Sequence, residues 1–154
     1  MLSVRRLTTT DVSVLRDLRL RSLADTPENF GELVAVEGAK PDSEWADSLR
    51  ERAWFAGFDE DTPVALVCGL PGEAEWLLFS MWVAPPARGN GFAARLVAAV
   101  RAAAAEAGAR AVVLQVFEDN ARARRIYERL GFVATGVWEE LADKGRRELL
   151  RLSL

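Results

Sequence analysis

The stretch that decides the fold is Val83-Ala84-Pro85-Pro86-Ala87-Arg88-Gly89-Asn90-Gly91-Phe92-Ala93. It follows an apolar run at residues 75–84, which predicts a strand covered on both faces. It precedes an alanine-rich run to residue 107, which predicts a helix that the next glycine ends. Residues 88–94, here named the glycine loop, therefore connect a strand to a helix.

The glycine loop is predicted to bind a pyrophosphate. Gly89 and Gly91 permit positive φ angles and place no Cβ in the path of a ligand. The helix after the loop offers unpaired N–H groups and the positive end of its dipole, and both favour an anion. Arg88 adds positive charge. An ordinary Asn-Gly turn is the alternative, but a hairpin turn would lead into a second strand and not into a long helix.

Two other phosphate-binding motifs also place glycines between a strand and a helix. A nucleotide P-loop is excluded because the sequence has no Gly-Lys-Ser/Thr. The dinucleotide pattern GxGxxA does match from Gly89 to Ala94, and Glu118 follows the next strand, where a ribose-binding acid would lie. However, Pro85 to Arg88 separate the first glycine from its strand, and only 36 residues follow Glu118. A nicotinamide cofactor is therefore disfavoured.

The rest of the chain predicts further strands and helices around this unit. Strands are expected at residues 3–7, 54–58, 63–70, 111–116, 132–138 and 147–154, and helices at residues 12–23, 43–52 and 120–130. Thr9 or Thr10 is expected to cap the first helix, and Pro27 predicts a loop at residues 25–31. This order predicts an α+β fold of α/β-type three layers, in which a mixed sheet carries helices on both faces.

Composition limits the classes of function. The 154 residues are the usual size of one domain, so a single domain over residues 1–154 is expected. The net charge is −3, which argues against a nucleic-acid or membrane binder. The alanine-rich stretch at residues 92–107 contains charged residues and does not predict a membrane span. No secretory signal is predicted at the N-terminus.

The counts of cysteine and histidine exclude several kinds of bond and catalytic site. Cys68 is the only cysteine, so no internal disulfide can form, and a reducing cytoplasm is expected. Its apolar surroundings in the sequence predict a core residue. Histidine is absent, which excludes a Ser-His-Asp triad and a histidine-ligated metal within this chain. No metal site is predicted, and a general base would have to be a carboxylate or water.

Two motifs carry a resemblance to a known family. The glycine loop resembles motif A of the GNAT superfamily of N-acetyltransferases, whose pattern Arg/Gln-x-x-Gly-x-Gly/Ala is matched by Arg88, Gly91 and Ala93. Residues 120–132 resemble that family's motif B, with matches at Asn120, Ala123, Tyr127, Gly131 and Phe132. The resemblance is strong at residues 64–138 and weaker at residues 5–54, where the family varies with its substrate.

The resemblance implies a fold and a coenzyme. The expected fold is a GNAT-like mixed, centrally splayed sheet of about seven strands with about four helices on both faces. Acetyl-CoA would be the co-substrate, with its pantetheine arm between strands 75–84 and 111–116. The residues implied to bind it are Met81, Trp82 and Val83 at the pantetheine, Arg88, Gly89, Asn90, Gly91, Phe92, Ala93 and Ala94 at the pyrophosphate, and Asn120 and Tyr127 on the second helix. A backbone N–H of residues 81–83 would also hold the developing oxyanion. A homodimer is a further implication.

The reaction that the resemblance implies is attack of a neutral amine on the thioester. Tyr127 would give a proton to the leaving sulfur, and the alternative for this residue is a core aromatic. Glu75, at the start of a central strand, is the first choice for the general base, and the alternative for this residue is a solvated carboxylate at a strand end. Glu32 and Asp25 are other candidates, which could instead attract a cationic substrate. Trp45, Trp54 and Phe30 would either line the acceptor pocket or pack in the core.

Two functions follow as hypotheses. The first is an acetyl-CoA-dependent N-acetyltransferase that acts on a small amine, a peptide N-terminus or a lysine side chain. The alternative is a non-catalytic acyl-CoA-binding module with a regulatory role. The sequence does not identify the acceptor.

Overall fold

The computed structural model describes residues 1–25 and 31–154, together with the side chains of all of these except residues 31–33. Phe30 and the side chain of Glu32, both named above as candidates for the acceptor side of the site, lie outside the described residues.

The described residues form seven strands and five α-helices. The strands are β1 (Leu2–Arg6), β2 (Ala53–Asp59), β3 (Thr62–Leu70), β4 (Glu75–Val83), β5 (Ala111–Phe117), β6 (Val133–Leu141) and β7 (Gly145–Ser153). The helices are α1 (Val12–Ala24), α2 (Gly31–Gly38), α3 (Asp42–Glu51), α4 (Phe92–Glu106) and α5 (Ala121–Arg129). Short 3₁₀ turns lie at Thr9–Asp11 and Pro85–Ala87.

The strands form one sheet in the order β1-β2-β3-β4-β5-β7-β6. β4 and β5 are parallel, and their register joins Glu75, Trp76 and Leu77 to Ala111, Val112 and Val113. The pairs β1–β2, β5–β7 and β6–β7 are antiparallel. The predicted mixed sheet of about seven strands is therefore confirmed.

Two compact units divide the chain. The first comprises residues 1–68 and 80–99, and the second comprises residues 69–79 and 100–154. Leu15, Leu18 and Leu66 are fully buried in the first unit, and Val100, Leu114 and Leu150 are fully buried in the second. Each unit thus has apolar side chains removed from water, which is the main favourable term in folding. The single domain expected from chain length stays a prediction.

The start of α1 differs from the prediction. Thr8, and neither Thr9 nor Thr10, is the N-cap of the 3₁₀ turn that leads into the helix. Its side chain accepts from the backbone N–H of Asp11, and Asp11 Oδ2 accepts in return from the N–H of Thr8 at 2.7 Å. This reciprocal pair is a capping box, which requires an acidic or amide side chain three residues after the cap.

Helix α2 was not predicted. Its sequence begins and ends with glycine and contains Val34 and Val36, all of which have modest helix propensity. Side chains of α1 hold it, since Arg16 Nη2 donates to the carbonyl of Gly38 at 2.9 Å and Arg19 pairs with Glu37 at 3.7 Å. These tertiary contacts stabilise a helix that local sequence signals do not reveal.

The structure places Trp45, Trp54 and Cys68 in the core. Trp45 and Trp54 are each 4% exposed, and Trp54 Nε1 donates to Ser48 Oγ at 2.9 Å. Both therefore pack in the core, and the pocket-wall alternative is wrong for them. Cys68 is fully buried, as predicted, and desolvation raises the pKa of its thiol to about 12.

No helix among the described residues is long and apolar enough to cross a membrane.

Candidate functional site

The backbone of the glycine loop borders open space. The loop enters α4 at Phe92, after the 3₁₀ turn that follows β4. Gly89 and Gly91 have φ angles of 84° and 80°, which residues with a side chain rarely adopt. A Cβ built on either glycine would meet no heavy atom within 4 Å. The loop therefore leaves room for a ligand against its backbone, at the N-terminus of a 15-residue helix.

Two contacts fix this loop. Asn90 Nδ2 donates to the carbonyl of Ala87 at 3.0 Å, which closes the turn. Phe92 is 2% exposed, and its ring lies so close to Gly57 of β2 that a Cβ there would approach it to 2.5 Å. The first residue of α4 is thus packed against a strand that has no side chain at the point of contact, which sets the position of the helix N-terminus.

Arg88 is held by partners within the same unit. Its Nη2 donates to Asp25 Oδ2 at 2.9 Å, and its Nε donates to the carbonyl of Val83 at 2.9 Å. The same oxygen of Asp25 accepts from Trp82 Nε1 at 3.0 Å. Asp25 therefore binds one residue predicted for the pyrophosphate and one predicted for the pantetheine. An anion that arrives at Arg88 competes with Asp25 for the guanidinium.

The end of β4 is shaped by an unusual backbone. Ser80 has a φ angle of 56°, which marks an irregularity within the strand just before Met81, Trp82 and Val83. Arg19 Nη1 donates to Ser80 Oγ at 3.2 Å, and the guanidinium of Arg21 lies 5.4 Å from the Trp82 ring centroid. Two arginines of α1 thus hold the part of β4 that the family resemblance assigns to the pantetheine.

The second predicted motif forms helix α5. Asn120 is its N-cap, because the side-chain oxygen accepts from the N–H of Ala123 at 3.2 Å. Tyr127 is half-buried, and its ring meets Phe132 edge-on with centroids 5.7 Å apart. Desolvation raises the pKa of Tyr127 to about 12, so the phenol is fully protonated at neutral pH. The residue is therefore available as a donor of a hydrogen bond or a proton.

Glu75 lies at the first position of β4, in the second unit. Its carboxylate forms an ion pair with Arg151 of β7. The backbone beside it is tied to the neighbouring strand, since the N–H of Arg110 donates to the carbonyl of Ala74 at 2.7 Å. The structure thus gives Glu75 a defined cationic partner, which the sequence did not predict.

The predicted residues form two groups. The first unit holds the glycine loop, residues 81–83 and Asp25, and it brings Arg88, Trp82 and Asp25 into direct contact. The second unit holds Glu75, Asn120 and Tyr127, and it places the last two on one helix. Within the described residues, no group of three or more Cys, Asp or Glu is arranged to hold a metal ion.

A cavity of about 690 Å³ lies along α1, and its lining includes no residue of the glycine loop or of α5. Its lining includes Ser13, Arg16, Asp17, Leu20, Val34 and Asp42. The two arginines in its lining are already bound, Arg16 to the carbonyl of Gly38 and Arg21 to Asp17 and the carbonyl of Pro63. The cavity therefore offers no unpaired arginine to a ligand.

Sequence reasoning missed a charged pair at α5. Glu148 of β7 is 5% exposed, and its Oε1 accepts from Arg124 Nη2 at 2.6 Å. The guanidinium of Arg124 holds the pKa of the Glu148 carboxyl below its ordinary value, with a smaller contribution from the N–H of Gly136. A signal was present, because Glu148 continues the buried alternation of Leu150 and Leu152 along the strand.

Comparison with known proteins identifies the family of this chain. Residues 18–132 match the acetyltransferase (GNAT) family. Among curated proteins, the uncharacterized N-acetyltransferase YycN of Bacillus subtilis (strain 168) is 37% identical over 65 residues. That match spans 42% of each chain, so it covers about two fifths of the curated relative.

Solved structures share the fold at low sequence identity. An acetyltransferase of the GNAT family from Streptococcus pneumoniae is 17% identical with a TM-score of 0.80, over 100% of this chain and 99% of that one. PaiA N-acetyltransferase from Thermoplasma acidophilum, in complex with coenzyme A, is 11% identical with a TM-score of 0.78 over 100% and 99%. The ribosomal-protein-S18-alanine N-acetyltransferase from Escherichia coli is 18% identical with a TM-score of 0.73 over 99% and 94%. The predicted fold class is confirmed by these likenesses.

Proposed function

Because this chain belongs to the GNAT family of acetyltransferases, we propose that it transfers an acetyl group from acetyl-CoA to a primary amine. The observation that carries the proposal is the glycine loop, where two positive-φ glycines face open space at a helix N-terminus. A pyrophosphate fits such a place, since backbone N–H groups and the helix dipole both favour an anion. PaiA N-acetyltransferase, which has the same fold, is in complex with coenzyme A, and this supports coenzyme A as the ligand.

The chemical step is direct attack of the neutral amine on the thioester carbonyl. A C–N bond forms, the C–S bond breaks, and the coenzyme leaves as a thiolate. Negative charge develops on the carbonyl oxygen, and a backbone N–H of residues 81–83 is proposed to stabilise it. The fixed backbone around Ser80 and the ties from Arg19 and Arg21 support this role, because preorganised donors cost little reorganisation during the reaction.

Tyr127 is proposed to act on the leaving sulfur. A thiol has a pKa of roughly 8.5, whereas the pKa of Tyr127 is raised to about 12. The phenol therefore keeps its proton in preference to a free thiolate, and it acts chiefly by donating a hydrogen bond while charge builds on sulfur. Tyr127→Phe should lower kcat roughly 10–10³-fold, while the Kd of acetyl-CoA changes only a few-fold, because the ring and its contact with Phe132 remain.

Glu75 is proposed as the base that takes the proton from the amine, directly or through water. The ion pair with Arg151 supports this role in one respect, because it holds the carboxylate in a defined position at the start of β4. Asp25 is the competing candidate, since it contacts Trp82 and Arg88. Glu75→Gln should lose most activity near neutral pH and recover part of it at high pH, where the amine is already neutral. A wild-type pH–rate profile in this variant would exclude Glu75 as the base, and Asp25→Asn would be the next variant to test.

The acceptor belongs to one of three classes: a small amine, a peptide N-terminus or a lysine side chain. The structural neighbour from Escherichia coli is named a ribosomal-protein-S18-alanine N-acetyltransferase. The side chain of alanine has no amine, so this name makes peptide N-termini the first class to test.

The deciding experiment measures free thiol released from acetyl-CoA with a panel of amines. The panel contains a polyamine, a peptide with a free N-terminus, and an N-blocked peptide with one lysine. Release that depends on one class and is lost in Tyr127→Phe supports the enzyme and names its acceptor class. Binding of coenzyme A without release by any member would favour the non-catalytic module. A cytoplasmic location, a homodimer and the absence of a nucleic-acid partner stay predictions.

A further inference from the structure

Helix α5 carries Asn120 at its cap and Tyr127 near its end, yet it is poorly anchored by apolar burial. It has nine residues, and none of them is buried. Helices this short are marginal in water without tertiary packing. Four of its residues are arginines, whose charges repel each other along the helix. The edge-on contact of Tyr127 with Phe132 anchors the helix at one point, so a second contact is needed to fix its rotation.

A second contact of α5 is ionic. Arg124 Nη2 donates to Glu148 Oε1 at 2.6 Å, and the side chain of Glu148 is 6% exposed. The second oxygen, Glu148 Oε2, accepts from the N–H of Gly136 at 2.8 Å. Glu148 therefore joins α5 to β7, on which it lies, and to the irregular part of β6 between Ala134 and Trp138.

Arg124 lies on the same face of α5 as the two predicted site residues. Asn120, Arg124 and Tyr127 follow the spacing i, i+4, i+7, which places them in one row along a helix. Arg122, Arg125 and Arg129 are exposed on other faces. A bond that fixes Arg124 thus fixes the rotation of the helix about its axis, and with it the direction of the Tyr127 side chain.

We propose that Arg124 and Glu148 form a positioning pair that sets the direction and depth of Tyr127, through the helix that carries both Arg124 and Tyr127. The inference rests on the proposed role of Tyr127 at the leaving sulfur. Neither Arg124 nor Glu148 is assigned a contact with the coenzyme. Their effect is geometric, because a hydrogen-bonded ion pair with one buried partner tolerates little rotation.

Stability alone would not explain such a pair. Replacing a buried ion pair by apolar residues of similar volume is often neutral for stability, whereas removal of one partner leaves an uncompensated charge. The double variant Arg124→Met/Glu148→Met is therefore expected to fold. Arg124→Lys keeps the charge without the planar fork of donors and serves as the conservative variant. Arg125→Met removes the same charge from an exposed face of the same helix and is the matched control.

Tyr127 is the only tyrosine in the chain, so it can be followed directly. Alkaline titration of the ultraviolet absorbance of tyrosinate reports the pKa of this one residue, with or without activity. In the wild type and in Arg125→Met the titration should give a pKa of about 12. In the double variant the pKa should fall towards the ordinary value, because a loosened helix exposes the ring to water. The value for Arg124→Lys should lie between these two.

Activity is measured on the same four proteins, with thermal unfolding as the check that each is folded. The double variant should lose kcat roughly tenfold or more, and Arg124→Lys should recover part of it. A lowered tyrosinate pKa with full kcat would still support positioning of the ring, and would contradict the proposed role of Tyr127 instead. An unchanged tyrosinate pKa in the folded double variant overturns the positioning pair, whatever happens to kcat.

Discussion

At the scale of single residues, Gly91 has the most direct consequence for coenzyme binding. Its φ angle is 80°, and the space beside it is open, so a Cβ there would enter the volume proposed for the pyrophosphate. Gly91→Ala should weaken coenzyme A binding at least tenfold, or about 1.4 kcal/mol. Calorimetric titration measures the loss. Gly108→Ala is the matched control, because Gly108 has a φ angle of 84° and equally open surroundings at the other end of α4. Equal affinities in the two variants would remove Gly91 from the binding site.

Burial of the Cys68 thiol should make the free energy of unfolding depend on pH in the alkaline range. Its thiol pKa is about 12 in the folded protein, against an ordinary value of 9.0. Between these values the unfolded chain binds fewer protons than the folded chain, so stability is full below pH 9 and falls as pH rises towards 12. Between pH 8 and pH 10, ionisation of this thiol in the unfolded chain should lower the free energy of unfolding by about 1.4 kcal/mol. Urea unfolding at both pH values should therefore show a smaller loss in Cys68→Ala than in the wild type. Equal losses would mean that the folded thiol ionises as readily as the unfolded one.

At the scale of elements, the contact between β2 and α4 determines where the anion site lies. Gly57 leaves room for the ring of Phe92, and a Cβ at this position would lie 2.5 Å from that ring. Gly57→Ala should therefore displace the start of α4, cost about 1–3 kcal/mol of stability, and weaken coenzyme A binding. Gly69→Ala is the control in another strand, where the nearest atoms lie 3.1 Å from the added Cβ. Thermal unfolding and titration of both variants compare the two effects. If Gly57→Ala binds coenzyme A normally, α4 tolerates this displacement.

The elements also show which predictions from sequence succeed. The glycine loop and the strand before it were predictable, because apolar runs and glycine positions are local signals. Helix α2 was not, because contacts from Arg16 and Arg19 hold it and its own sequence is a weak helix former. The bond between Arg124 and Glu148 was not predictable either, since it joins residues that are 24 positions apart. Sequence patterns reveal an element when its own residues determine it, and miss it when a distant side chain does.

At the scale of the whole molecule, the residues predicted to bind the coenzyme fall into two sets, one in each compact unit, and each set can be tested by itself. The glycine loop belongs to the first unit, and Asn120 and Tyr127 belong to the second. This distribution leads to a prediction that separates the two motifs. Coenzyme A should slow amide hydrogen exchange at residues 89–94 and also at residues 120–124, because both segments are proposed to contact it. ADP carries a pyrophosphate without the pantetheine arm, so the local protection that it adds to any general slowing should be confined to residues 89–94.

The comparison is made on the intact chain at equal saturation of the two ligands, because any ligand that binds only the folded state raises global stability and slows exchange everywhere. At a free ligand concentration of 100 times the Kd, either ligand raises the free energy of unfolding by about 2.7 kcal/mol. A difference that is confined to residues 120–124 therefore reports a local contact. Protection of residues 89–94 by both ligands, with no further protection of α5 by coenzyme A, would leave the pyrophosphate site in place. It would remove Asn120 and Tyr127 from coenzyme binding, and the donor to the leaving sulfur would then have to be sought in the first unit.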